Sequence, residues 1–255
     1  MSKVILVCEY DGTDFCGFQI QDNGRTVQEE LEKALSELYK TDIKITGCSR
    51  TDAGVHARGH CSSFDAPFDI PEDRIPLALN SLLPDDLSVK KAVKVNEDFN
   101  ARFDSLGKRY IYRIYSAPYR SPLIGRYSYY TSYTPDVSRM QKAATYFAGE
   151  HDFAAFCATG GSQKTTVRKL FAVNVFANKS QPGLIEIEVQ GEAFLYNMVR
   201  IIAGTLYYVG IGKLEPEDVR TIIENCDRTK AGKTLPACGL TLEEVYYNWE
   251  DITLG

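Results

Sequence analysis

Two stretches of this 255-residue chain run through the same order of elements, and that order limits the fold more than any other feature. Residues 3–9 are β-branched and weakly alternating, which predicts a strand. Thr26, with Glu29 three residues on, predicts a capped helix start, and Val27, Leu31, Ala34, Leu35 and Leu38 follow at helical spacing. Residues 43–46 and 60–65 read as strands, 72–81 as a second helix ended by Leu83-Pro84, and 87–95 as a closing strand. The second pass opens with a strand at 109–115 that sets Tyr110 and Tyr112 on one face. Pro135-Asp136 starts a helix carrying Val137, Met140, Ala144 and Phe147. Residues 168–177 and 184–190 form a hairpin turning at Gln181-Pro182-Gly183. An apolar helix runs from 194 to 208, a shorter one begins at Pro216, and 242–249 is the last strand. Each pass reads β-α-β-β-α-β, so the expected class is α+β with two ferredoxin-like domains, residues 1–104 and 105–255.

The chemistry-bearing residues concentrate between the second and third strands of the first half, in Gly-Cys-Ser-Arg-Thr-Asp-Ala-Gly-Val-His-Ala at residues 47–57. Arg50, Asp52 and His56 lie among small residues and glycines, a composition suited to an exposed loop presenting a carboxylate. An extended backbone puts Arg50 and Asp52 on one face. Gly54 permits a sharp turn directly after them.

Residues 50–57 resemble the Arg-Thr-Asp-Ala-Gly-Val-His block of the tRNA pseudouridine synthase A family. The resemblance continues in order through Tyr10-Asp11-Gly12-Thr13, Gly17-Phe18-Gln19, Thr26-Val27-Gln28, Ala78-Leu79-Asn80, Ala101-Arg102-Phe103-Asp104, Lys108-Arg109-Tyr110, His151-Asp152-Phe153 and Asn197-Met198-Val199-Arg200. Two positions depart from it: Phe18, where the family usually has Trp, and His60, where Gln is common. The resemblance implies that the two halves join into one mixed, mainly antiparallel sheet with helices on one face and a central cleft. It further implies a homodimer and, as substrate, uridines at positions 38, 39 and 40 of the anticodon arm of tRNA. The first domain would carry the catalytic Asp loop and the second would complete the cleft.

Charge supports RNA locally and not globally. The net charge is −5, yet between Phe99 and Tyr133 stand Arg102, Lys108, Arg109, Arg113, Arg120 and Arg126 against Asp104 alone, interleaved with eight tyrosines. Cations neutralise phosphates and aromatic faces stack unpaired bases. His56, Arg58, Lys108, Arg109, Tyr110, Lys164 and Arg168 are the candidate substrate-binding residues. The last two belong to a Gly-rich stretch, 160–169, suited to gripping an RNA backbone.

Arg200 sits in an apolar helix and needs an acceptor, because a buried unpaired charge costs several kcal/mol. Asp52 is one candidate, and such a pair would hold the carboxylate ionised; the alternatives are pairing with backbone carbonyls or a side chain that reaches the surface. By resemblance Asp52 is the nucleophile, Tyr110 lies against the base, and Arg50 occupies the space left when the target base is flipped out. Isomerising uridine to pseudouridine is redox-neutral and calls for no cofactor. A carboxylate can attack C1′, attack C6 or deprotonate the sugar, and the sequence leaves the three open.

Other readings weaken on inspection. His56, His60 and Cys61 lack the spacing of a metal site, and the 160–166 stretch lacks Walker spacing. Seven scattered cysteines without a C-x-x-C pair argue for a reducing, cytoplasmic setting, and no targeting or membrane segment is visible. The rival from another class is a non-catalytic RNA-binding or tRNA-folding protein on the same scaffold.

Overall fold

The structure, a computed structural model, describes residues 2–161 and 164–253. They pack as two compact units, the first running to Leu106 and joined by Leu242 onward, the second Gly107–Thr241. Although the sequence order places the last strand with the second half, its residues from Leu242 are packed with the first.

The first unit contains β1 (Ser2–Tyr10), α1 (Val27–Tyr39), β2 (Thr46–Gly47), β3 (His56–Ala66), α2 (Arg74–Asn80) and β4 (Leu87–Val95). β1 is antiparallel to both β3 and β4, and β2 is antiparallel to β3, which is the strand order of a split βαβ unit. Thr26 accepts from the Glu29 N–H at 3.3 Å and fixes the start of α1. Val27, Leu31, Ala34 and Leu35 are buried by α1, and burying a Leu fully is worth about 1.5–3 kcal/mol.

The expected strand at 43–46 is reduced to Thr46–Gly47. The N–H groups of Ile43 and Ile45 donate to Ser36 Oγ and Glu32 Oε1 on α1, so they are not offered to a sheet neighbour. β3 begins at His56, four residues earlier than the sequence suggests.

The second unit contains β5 (Gly107–Ser116), α3 (Pro122–Gly125), β6 (Tyr129–Thr131), α4 (Val137–Ala144), β7 (Gly149–Asp152), β8 (Val167–Ala177), β9 (Leu184–Gly191), α5 (Met198–Gly210) and α6 (Asp218–Asn225). Its strands run β5-β9-β8-β7 in space, all antiparallel, with β6 parallel to β5. The β8–β9 hairpin turns through Gly183, as the sequence predicts. Asp136 caps α4, accepting from the Arg139 N–H at 3.0 Å.

α5 starts at Met198 and not at Phe194, because Asn197 is left-handed at φ 59° and cannot extend the helix backwards. At Gly204 a Cβ would lie 1.9 Å from the Lys233 carbonyl, so glycine lets residues 231–235 press against α5. The chain then enters β10 (Leu240–Tyr246), which lies beside β3 in the first unit, followed by α7 (Trp249–Ile252).

Candidate active site

The 48–55 loop joins β2 to β3 in the first unit, and its hydrogen bonds run to the segment that follows β1. The Phe18 N–H donates to the Thr51 carbonyl at 3.0 Å, and the Gly54 N–H donates to the Phe15 carbonyl at 3.3 Å. The Tyr10 hydroxyl lies 2.7 Å from Thr51 Oγ1. Within the loop, the Val55 N–H closes a turn onto the Asp52 carbonyl at 3.1 Å. Thr51 is buried, Asp52 half-buried and Arg50 exposed, so Asp52 stands beside an anchored residue. Gly17 makes this anchoring possible. Its φ is 93°, and a Cβ there would sit 2.8 Å from the Thr51 carbonyl oxygen.

His56 is only 4% exposed. Its Nδ1 accepts from the Gly12 N–H at 3.0 Å and lies 3.2 Å from Asp11 Oδ1. Accepting at Nδ1 places the neutral ring's proton on Nε2. His60 is wholly buried, and its Nε2 donates to the Ser49 carbonyl at 2.9 Å, which fixes the same tautomer. Arg58 is exposed, its guanidinium 3.7 Å from the buried Glu243 carboxylate.

The other candidates lie in the second unit. Lys108 and Tyr110 are buried on β5, Tyr110 packing edge-on against Phe194 at 5.0 Å. Arg109 is ion-paired with Glu188 at 3.5 Å. Tyr112, on the same face as Tyr110, donates to the Pro236 carbonyl at 2.8 Å, and burial pushes its hydroxyl pKa well up. Arg200 is half-buried on α5, and its Nε donates to the Leu235 carbonyl at 2.7 Å and Nη1 to Asn197 Oδ1 at 2.6 Å. Lys164 is exposed, and Arg168 donates to the carbonyls of Thr165 and Val167. Ser162 and Gln163 of the 160–166 stretch lie outside the described residues.

Sequence reasoning missed the residues that hold these groups. Tyr10, Phe15, Phe18 and Gly17 anchor the Asp52 loop, and Asn197 and Leu235 orient Arg200. The clustered glycines at 12 and 17 were one visible signal of a close backbone approach; Asn197, three residues before Arg200, was another. Among the described residues no group of three or more His, Cys, Asp or Glu is placed to hold a metal ion, and the seven cysteines are free thiols. No helix among them is long and apolar enough to cross a membrane.

A protein-family model described as tRNA pseudouridine synthase matches residues 6–104 and 143–248. Arg50, Asp52 and Arg200 fall inside the matched segments, and Tyr110 falls between them. The chain is 51% identical over 247 residues to the tRNA pseudouridine synthase A of Ruminiclostridium cellulolyticum, covering 97% of this chain and 100% of that one. It is 45% identical over 247 residues to that of Acetivibrio thermocellus, with the same coverage. A solved Cbf5-Nop10-Gar1 complex matches at a TM-score of 0.38 and 11% identity, over 94% of this chain and 48% of that one, too slight a likeness to bear on the assignment. The chain belongs to the tRNA pseudouridine synthase A family. It is accordingly an isomerase, the class to which the redox-neutral rearrangement of a nucleoside belongs.

Proposed function

We propose that this chain isomerises uridine to pseudouridine in the anticodon arm of tRNA, at positions 38, 39 and 40, with Asp52 as the catalytic nucleophile. The observation that carries this reading is the anchored loop: Thr51 and Gly54 are tied down on either side of a half-buried Asp52. A reactive carboxylate held in place needs no reorganisation when the substrate arrives.

In the reaction the C1′–N1 bond breaks, the uracil turns over, and C1′ bonds to C5. C5 loses its hydrogen as a proton and N1 gains one, so atoms and electrons balance with no cofactor. Arg200 is assigned to pair with Asp52 and keep it ionised; the bonds its guanidinium donates to Asn197 Oδ1 and the Leu235 carbonyl support this by fixing it in place. Tyr110 is assigned to lie against the base and Arg50 to fill the vacated stack. Arg58, Lys108, Arg109, Lys164 and Arg168 are assigned to the RNA, and His56, being buried, to holding the loop. In this reading the two units are ferredoxin-like halves joined edge to edge into one sheet. The catalytic Asp loop lies on the first half, and the second completes a central cleft. A homodimer in the cytoplasm is part of the same proposal.

The test uses tRNA with tritium at C5 of uridine, with chelator present, and compares the native protein with Asp52→Asn. Tritium release by the native protein and none by the variant, with tRNA binding retained, is the expected result. Tight binding with no release by either protein would replace the enzyme with an RNA-binding protein.

A further inference from the structure

In the first unit, residues 12–17 lie along the Asp52 loop and approach it at three points. A Cβ at Gly12 would sit 2.0 Å from the Val55 carbonyl oxygen, and one at Gly17 would sit 2.8 Å from that of Thr51. Between them the Phe15 carbonyl accepts the Gly54 N–H at 3.3 Å. The position of Asp52 therefore depends on this segment. Its regular structure is one short turn, Gly12–Asp14, so its place must be set from outside.

Arg25 supplies that outside support. Its guanidinium lies over the buried Phe15 ring, 4.2 Å from the ring centre. From there Nη1 and Nη2 donate to Asp86 Oδ2 at 2.8 Å and Oδ1 at 2.7 Å, and Nε donates to Glu30 Oε1 at 2.7 Å. Asp86 immediately precedes β4 and Glu30 belongs to the first turn of α1, so two regular elements anchor the fork.

The same residues also hold the segment through their backbone. The Asp86 carbonyl accepts the Asp11 N–H at 3.0 Å, and the Arg25 carbonyl accepts the Cys16 N–H at 2.8 Å. A guanidinium held at both Nη atoms has one fixed plane, and a ring pressed against that plane is fixed with it.

We propose that Arg25 is a positioning residue for Asp52, acting through Phe15. Clamped to Asp86 and Glu30, it holds the Phe15 carbonyl where the Gly54 N–H meets it. The inference rests on Asp52 being the reactive carboxylate. It gives Arg25 to the chemical step, although a cation of an RNA-binding protein would ordinarily be given to a phosphate.

The experiment compares the full-length native chain with Arg25→Gln, Arg25→Lys, Phe15→Leu and the double variant Arg25→Gln/Phe15→Leu. It reads kcat and KM from tritium release and the salt dependence of tRNA binding, at a temperature where each protein keeps a native circular dichroism spectrum. Arg25→Gln is expected to lower kcat about tenfold to a hundredfold with KM and salt slope unchanged, as a displaced reacting group would. Arg25→Lys should recover only part of this, because an ammonium makes neither the fork nor the flat contact. In the Phe15→Leu background, losing Arg25 should cost less than about threefold more, as for two residues acting together. Unchanged kcat in Arg25→Gln would overturn the proposal, as would full recovery in Arg25→Lys or effects of the two changes that simply multiply. A raised KM and a salt slope lowered by about 0.7, at native kcat, would also overturn it and assign Arg25 to the RNA backbone. Undiminished turnover in Asp52→Asn would remove the underlying reading, and that result is obtained independently of every Arg25 variant.

Discussion

The rings of Phe18 and His60 stack at 4.1 Å with 24° between their planes. Phe18 and His60, the two departures named from the sequence resemblance, thus form a single contact. Both also serve the loop directly, Phe18 through its N–H to Thr51 and His60 through Nε2 to Ser49. A change at one therefore alters the space left for the other. The edge of the Phe18 ring also packs tightly, since a Cβ added at Gly47 would come within 2.3 Å of it and within 3.2 Å of the His60 ring.

Phe18→Trp alone is expected to destabilise the fold by about 1–3 kcal/mol, because the larger ring overpacks a site with no spare volume. His60→Gln makes room while retaining a donor for the Ser49 carbonyl. The double variant should recover at least about 0.5 kcal/mol relative to the sum of the singles. Urea denaturation of all four proteins measures this, and simple additivity would show the two positions to be independent.

Gly17→Ala tests how strictly the Asp52 loop is positioned. A methyl group at φ 93°, aimed at the Thr51 carbonyl, must push the loop or strain the backbone. We expect kcat to fall by about tenfold to a hundredfold, since small displacements of reacting groups cost that much. Retained tRNA binding and a native circular dichroism spectrum would tie the loss to the loop, whereas unimpaired kcat would show that the loop tolerates the shift.

Asn197 performs two tasks that substitutions can separate. Asn197→Gly keeps the left-handed backbone and deletes the acceptor of Arg200 Nη1. With the guanidinium no longer held by Asn197, kcat should fall by roughly tenfold or more, because small displacements of reacting groups cost that much, while the backbone stays unstrained. Asn197→Ala adds the backbone cost, of about 1–3 kcal/mol, and should lower the melting temperature as well. Equal activity of the glycine variant and the native enzyme would show that Arg200 is oriented without Asn197.

Tyr39, at the end of α1, has a buried hydroxyl with no hydrogen-bond partner. Burial, with Asp69 nearby, pushes its pKa up to about 12. The folded state thus holds this proton more tightly than the unfolded chain. Its contribution to stability is complete below about pH 10 and is lost as the pH rises through the folded value. Tyr39→Phe should flatten the fall in stability between pH 10 and 12. At pH 7 it should be neutral or stabilising by about 1 kcal/mol, because it removes an unsatisfied polar atom. A marked loss of stability at pH 7 would contradict this account.

The residues whose local chemistry settles their conformation were legible in the sequence. The β4 strand falls on the expected 87–95, and α1 begins at its expected Thr26 cap. The 43–46 strand failed because the competing acceptors, Ser36 and Glu32, lie on a helix whose packing no local pattern discloses. The short β6 and β7 strands carry too few residues to show a period. In the candidate site the groups proposed to react were named from residues 50–57, but their supports were not. Tyr10, Phe15 and Phe18 act through contacts more than thirty residues away in the chain, and two of those contacts are made through their backbone atoms.

The first unit is finished by the residues from Leu242 onward, which follow the whole second unit in the chain. Until Leu242 and the residues after it have left the ribosome, the β3 edge beside Arg58 and Gly59 lacks the neighbour it has in the finished fold. An open strand edge is a template for wrong pairing, so the nascent chain passes through a stage that invites aggregation or a chaperone. It also means that β3, the strand that follows the Asp52 loop, reaches its final setting last. Products of premature termination would contain every residue from Arg50 to Arg200 and still lack the strand that completes their support.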